Sequence, residues 1–513
     1  MNDVARSVAK WAKIEPGRLA VVDEAAAITY GELDERANRW VAWLVRCGAA
    51  PGDGVLLLLP NRFEWIELLV AVNRANVLPY VLSTQLASIE VARIATETNA
   101  KVVITARSLN VGDQIGDLVA NMPLAQLFVE DFADAARSIE PVKLKLTDTS
   151  SKMIVLFTSG TTGKPKGVIV PQSVFDLSLC DTDHIRNPQT HLLCRPLFFR
   201  AHLAAACSAI QEGNTVALSR HPSAGHWSAL IERLNISLIS LGPGDLLIWL
   251  QELEREGSGF PISLTQILTT GAPLTPMIRA RLKPLIQGVR ATDFYGTSEA
   301  GGIAMIDDSE WESKQGSCGK PMFFAKVTIL DEQDRPLEAG LRGEICVGTH
   351  HLFTEYYRDP ESTSAACAGE YRRTGDIGYF DEEGYLYVTG RKHDVIHCGG
   401  YCLHPQEVES VLRESDEVEE AVVVGRDGFA GSQEPIAFVL LRDRYRQDEN
   451  ATAGTKQALL TLCESRLAAY KVPADMIFVA ELPRNAAGKA DSRELLRRLS
   501  QEQGALTPKG GCS

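Results

Sequence analysis

Apolar and polar positions along this chain fall into two alternating textures. In "TYGELDERANRWVAWLVRCGAAPGDGVLLLLP" (residues 29–60), the pattern predicts a capped amphipathic helix starting near Thr29, then a glycine-rich turn, then a buried strand. "NRFEWIELLVAVNRANVLPYVLS" (residues 61–83) repeats the order, and "AKVVITA" and "AQLFVED" supply two more strand candidates. Val4, Val8 and Trp11 recur at helical spacing and predict a short N-terminal helix. From 190 to 305, "LLCRP", "TVALS", "SLISLGP" and "QILTTGAPL" read as strands ending in Gly/Pro turns. Ligands in such sheets sit beyond the C-terminal ends of the strands.

From about residue 316 the texture changes. "KVTILDEQDRPLEAGLRGEICVGT" and "DEEGYLYVTGRKHDVIHCGG" read as hairpins, and "HPQEVESVLRES", "EAVVVGR" and "PIAFVLL" return to mixed helix and strand. The predicted fold is α/β. A large N-terminal domain (1–390) packs helices on mostly parallel sheets and carries a small β-barrel-like unit. A hinge (391–394), a smaller α+β C-terminal domain (395–505) and a loose tail (506–513) follow.

Composition narrows the function. The 513 residues exceed one core, and 45% apolar with 23% charged content is ordinary for a globular protein. A net charge of −14 disfavours nucleic acid as a partner and also an anionic membrane surface. The strongest apolar stretch, "GVLLLLP", is far shorter than the ~20 residues of a membrane span. Eleven scattered cysteines form no disulfide framework, so a cytoplasmic setting is expected. His397, Cys398, Cys402 and His404 cluster, but their spacing matches no zinc pattern.

One loop carries chemistry. "TSGTTGKPKG" (residues 158–167) lies between the apolar runs 153–157 and 168–170. Its spacing is not that of a P-loop, and Pro165 pushes Lys164 toward extended geometry. The loop should therefore bridge two strands instead of opening a helix. Gly160 and Gly163 let backbone N–H groups approach phosphate oxygens. Thr158, Ser159, Thr161 and Thr162 offer hydroxyls, and Lys164 and Lys166 offer charge.

The whole string resembles the phosphate loop of the adenylate-forming superfamily, which includes acyl-CoA synthetases, peptide-synthetase adenylation domains and luciferases. Further matches fall in the family's order: "TTGAPL" (269–274), "YGTSEAG" (295–301), "GEICVGT" (343–349), "RTGDIGYFDEEGYLYVTGRKHD" (373–394) and "LPRNAAGKADSREL" (482–495). The resemblance spans roughly residues 1–500 and is most like an acyl-CoA synthetase. It implies two half-reactions with ATP, Mg²⁺ and coenzyme A. A carboxylic acid becomes acyl-AMP, and a thiol then displaces AMP. Lys489 is the implied catalytic cation of the first step, and Glu299 the implied Mg²⁺ ligand, with Thr161 adding a hydroxyl. AMP would meet Gly271, Ala272, Pro273, Tyr295, Gly296, Thr297 and Ser298, with Asp376 and Arg391 on ribose or phosphate.

The resemblance also places an acid pocket around Phe199, Arg200, Gly242 and Gly301. The Ala-rich run Ala204–Ala206 removes bulk and opens room for a bulky apolar acid, and no acidic residue stands where amino-acid-activating relatives hold the α-amine, which disfavours an amino acid. His393 takes the hinge position of a C-terminal domain that swings between half-reactions, and Gly399, Gly400 and Tyr401 would flank the coenzyme A arm. Three alternatives stay open: an enzyme of one half-reaction, a loader of a carrier protein, and a non-catalytic adenylate binder. A homo-oligomer also remains open.

Overall fold

The computed structural model describes residues 3–86, 88–109, 124–142, 153–158, 166–171, 189–220, 224–272, 274–349, 352–392, 396–398, 401–427, 433–445, 449–467, 469–485 and 489–506. The chain divides into two compact units. The first holds Met1–Val327 and Cys346–Thr374, and the second holds Thr328–Ile345 and Gly375–Ser513.

Two sheets organise the first unit. In the nine-stranded sheet, Leu19–Val22, Thr215–Leu218, Thr190–Leu193, Leu238–Leu241, Gln266–Thr270 and Arg290–Thr297 are neighbours in that order and run parallel. Antiparallel strands flank them, Ala27–Thr29 on one side and Gly301–Asp307 on the other. The seven-stranded sheet has a parallel centre built on Gly54–Leu58, Leu78–Val81, Val102–Thr105 and Met153–Thr158. Gly54–Leu58 is apolar throughout because both its faces are covered. Val55 and Leu57 enter one core and Leu56 and Leu58 another.

Helix Tyr30–Arg46 starts where the sequence predicted. Thr29 accepts from the Glu32 backbone N–H, and the Glu32 carboxylate accepts from the Thr29 N–H, which satisfies two donors at the helix start. Its buried Trp40 stacks on Phe132 with ring centroids 3.8 Å apart, and the Trp40 indole donates to Glu67. Burying an aromatic ring of this kind contributes about 4–6 kcal/mol by area.

In the second unit, Val418–Asp427 pairs antiparallel with Gln433–Leu441, which pairs parallel with Asp475–Val479. Ala421 and Val423 face a core shared with helices Pro405–Leu412 and Glu449–Arg466. Val422 and Val424 face Leu495 and Leu499 on helix Ser492–Leu506, an element the apolar pattern had not singled out. Among the described residues, no helix is long and apolar enough to cross a membrane.

Candidate active site

The glycine-rich loop does bridge two strands. Met153–Thr158 and Lys166–Pro171 pair antiparallel, in register up to Thr158 opposite Lys166. Ser159, Gly160, Thr161, Thr162, Gly163 and Lys164 lie outside the described residues. The Lys166 ammonium donates to Ser362 Oγ at 2.8 Å, stands 3.9 Å from Asp359, and lies over the Tyr356 ring.

A second hairpin places Glu299. Strand Arg290–Thr297 turns through Ser298, Glu299 and Ala300 into Gly301–Asp307, with Gly296 opposite Gly302 and Thr297 opposite Gly301. The turn is tight. A Cβ on Gly296 would lie 2.2 Å from the Gly301 carbonyl oxygen, and Gly301 itself has φ +77°. The Thr297 hydroxyl accepts from the Ala300 N–H at 3.0 Å. The Glu299 carbonyl accepts from Phe353 N–H at 2.7 Å, and its Oε1 accepts from the Tyr356 hydroxyl at 2.8 Å. Burial, and then the Glu299 charge, push the Tyr356 hydroxyl well above the usual tyrosine range, so it stays a donor.

The predicted adenine-side turn is tied to the same strand. Gly271, with φ +95°, and Ala272 follow strand Gln266–Thr270, while Pro273 lies outside the described residues. Asp293, buried on strand Arg290–Thr297, accepts from the Thr269 hydroxyl at 2.7 Å and from Leu274 N–H at 3.4 Å. Burial raises its pKa, opposed by Thr269 and by Arg279 at 3.8 Å. Tyr295, Gly296 and Thr297 end this strand just before the Glu299 turn, so one strand presents three of the predicted contacts.

The four predicted acid-pocket residues fall into two groups. Arg200, the first residue of helix Arg200–Glu212, is buried and donates to the Ser298 carbonyl oxygen. A Cβ on Gly301 would touch its guanidinium. Burial lowers the Arg200 pKa to about 10, and the Glu299 charge opposes that shift. Phe199 and Gly242 are linked through Arg195, whose guanidinium lies over the Phe199 ring and pairs with Asp245 at 3.3 Å, while the Asp245 carboxylate accepts from Gly242 N–H at 3.1 Å. Behind them, burial drives the pKa of His191 and of His202 down to about 3.

In the second unit, residues 376–380 of strand Tyr371–Phe380 pair with Leu386–Arg391, which sets Asp376 opposite Arg391. The buried Asp376 carboxylate lies 3.1 Å from the Arg391 guanidinium, so the structure brings these two predicted residues together. Lys489 closes a short loop. Its carbonyl accepts from Asn485 N–H at 2.8 Å, its N–H donates to Asn485 Oδ1 at 3.2 Å, and the residue is exposed. Cys398 pairs with Tyr401 across a two-stranded ribbon. Gly399, Gly400 and His393 lie outside the described residues.

Sequence reasoning missed Tyr356, Asp293 and Arg195. Asp293 had a legible signal, a lone carboxylate inside an apolar strand in "ATDFYG". Tyr356 had none, because its partner is 57 residues away. The Glu299 turn suits a magnesium ion. It presents hard oxygen from a carboxylate with one oxygen hydrogen-bonded, and magnesium takes one or two carboxylates together with substrate phosphates. Among the described residues, no group of three His, Cys, Asp or Glu side chains could hold a metal by itself.

The AMP-binding enzyme family model matches residues 8–357, and that of the AMP-binding enzyme C-terminal domain matches 407–489. The 2-succinylbenzoate–CoA ligase of Geobacillus kaustophilus is 32% identical over 502 residues, covering 96% of this chain and 97% of its own. The long-chain-fatty-acid–CoA ligase of Mycobacterium tuberculosis is 29% identical, covering 99% of both chains. The o-succinylbenzoate CoA synthetase of Bacillus subtilis, solved with its acyl-adenylate intermediate, aligns with a TM-score of 0.83 at 27% identity, covering 95% of this chain and 97% of its own. It has also been solved with ATP and magnesium ion, aligning at a TM-score of 0.82 and 26% identity over 96% of this chain and 98% of its own. With family models matching in both units and relatives aligned almost end to end, the chain belongs to the AMP-binding enzymes, in the adenylate-forming acyl-CoA synthetase family.

Proposed function

We propose that this protein is an ATP-dependent acid–CoA ligase acting on a bulky apolar carboxylic acid. The acid carboxylate attacks the α-phosphorus of ATP, and the bond to pyrophosphate breaks. The coenzyme A thiolate then attacks the acyl carbon, and AMP leaves. The observation that carries this reading is the convergence of Glu299 and the exit of the glycine-rich hairpin on one short segment around Tyr356. That segment joins a carboxylate suited to magnesium to a loop suited to polyphosphate.

Charge dictates the parts needed. Two unit charges ~4 Å apart repel by about 1 kcal/mol in water and about 4 kcal/mol at an effective dielectric of 20. A carboxylate nearing a triphosphate meets several such terms. Magnesium would supply charge neutralisation on the phosphates, held by Glu299 and the Thr161 hydroxyl. The ammonium of Lys489 would stabilise the charge developing between acid and α-phosphate. Asp376 would accept from the ribose hydroxyls, with Arg391 orienting it or meeting phosphate. Gly271, Ala272 and Tyr295 would border adenine, and Phe199, Arg200, Gly242 and Gly301 the acid. His393 is assigned the pivot, and Gly399, Gly400 and Tyr401 the passage for the pantetheine arm, in a cytoplasmic enzyme.

A panel of carboxylic acids, assayed for acid-dependent pyrophosphate release and for thioester formation, tests the reading. Apolar aryl and alkyl acids should release pyrophosphate and form thioesters with coenzyme A. Thioester on a carrier-protein pantetheine alone would move the acceptor to a protein. Absence of pyrophosphate release, with thioester formed from supplied acyl-AMP, would leave only the second half-reaction.

A further inference from the structure

Segment 353–363 is wired to both parts of the phosphate-handling site. On one side, Phe353 N–H donates to the Glu299 carbonyl and the Tyr356 hydroxyl donates to Glu299 Oε1. On the other, Thr354 N–H donates to Ile169 O and Tyr357 N–H to Gly167 O, each at 2.7 Å, and Tyr356 stands opposite Val168 in an antiparallel pair. Lys166, near the end of the glycine-rich string, reaches Ser362 and Asp359 and lies over the Tyr356 ring at 5.3 Å. Tyr356 is itself fixed. Its N–H donates to the Thr363 hydroxyl at 2.9 Å, and its ring packs on Phe353 at 4.8 Å.

A glutamate side chain has three rotatable bonds, and an unheld carboxylate must lose that freedom when it takes a metal. A hydrogen bond to one carboxylate oxygen fixes the group and leaves the other oxygen's lone pairs for a hard cation. We propose that Tyr356 is a positioning residue that presents Glu299 to the magnesium of bound magnesium–ATP, in register with strand Lys166–Pro171. The inference rests on the reading of Glu299 given above. Tyr356 touches neither nucleotide nor acid in this scheme and acts through Glu299.

Tyr356→Phe removes the hydroxyl and keeps the ring over Phe353 and under Lys166. The test is calorimetric binding of a non-hydrolysable ATP analogue to the full chain, with Mg²⁺ and with EDTA, and of AMP as a metal-free reference. The gain in affinity that Mg²⁺ gives the wild type should fall about tenfold in Tyr356→Phe, the usual loss for a group supporting a metal ligand. Affinity for AMP should not change. In turnover, KM for magnesium–ATP should rise while KM for the acid stays put. An unchanged Mg²⁺ gain, or equal losses for AMP and for the analogue, would overturn the proposal, including when the variant is merely less heat-stable. Glu299→Gln run alongside separates the two claims. If it keeps the full Mg²⁺ gain, the reading of Glu299 falls and this inference with it. If it loses the gain and Tyr356→Phe does not, only the role of Tyr356 falls.

Discussion

His191 and His202 show what burial does to single side chains near this site. Both are buried and held neutral, with pKa values pushed from 6.5 down to about 3 by desolvation; for His202 the nearby Arg195 charge adds to it. His191 also bonds Ser240 Oγ at 2.7 Å. The unfolded chain takes up a proton on each below about pH 6.5, and the folded chain does not. The stability these neutral rings allow is therefore complete above pH 6.5 and is lost as pH falls toward 3. The slope is about 1.4 kcal/mol per pH unit for each ring in that window. A His202→Gln variant should thus lose less stability than the wild type between pH 7.5 and 5.5. Unfolding midpoints at the two pH values check this, and parallel losses would contradict it. Arg200 shows the complementary case. It was read as an acid-pocket residue, and the structure also has it gripping the Ser298 carbonyl of the Glu299 turn.

At the scale of elements, the Arg290–Thr297 and Gly301–Asp307 hairpin depends on two backbones approaching closely. Any side chain at Gly296 would strike the Gly301 carbonyl, a backbone atom that cannot swing aside. Gly296→Ala should force the strands apart just before Glu299 and shift that carboxylate. Acid-dependent pyrophosphate release should fall at least about a hundredfold, since small misplacements of reacting groups cost that much. The thermal midpoint should fall less severely, because the parallel strands beside the hairpin keep their pairing. Near-normal release would show that the turn tolerates a wider hairpin. Periodicity located most elements, because helix and strand patterns are local. The capped helix at Thr29 and the loop between two strands at 158–166 were both legible in this way. Helix Ser492–Leu506 was not, since its apolar stripe is narrow and its partners, Val422 and Val424, lie far back in the chain.

At the scale of the whole molecule, the two half-reactions make different demands on the same chain. The attack on phosphorus needs a cation beside the α-phosphate, and displacement of AMP by a thiolate needs it less. Lys489→Ala should therefore cut acid-dependent pyrophosphate release by about 10²–10³-fold, the cost of removing one preorganised charge-stabilising group. Conversion of supplied acyl-AMP and coenzyme A to thioester should stay within a few-fold of wild type. Equal losses in both assays would remove Lys489 from the adenylation step. Lys489 is exposed, and substitutions at exposed positions usually change stability by no more than about 0.5 kcal/mol, so the thermal midpoint should hold.

The chain by itself determined the family and the α/β class, and it named the candidates for phosphate, magnesium and ribose, because these follow from short contiguous motifs and local periodicity. Only the tertiary structure decided which distant groups hold those residues in place. Tyr356 meets Glu299, Asp293 ties the Gly271 turn to the Tyr295 strand, and Arg195 bridges Phe199 and Gly242. The reason is physical. A hydrogen bond or ion pair between residues far apart leaves no periodic trace, and it forms only once the sheets and helices have brought its two ends within about 3 Å.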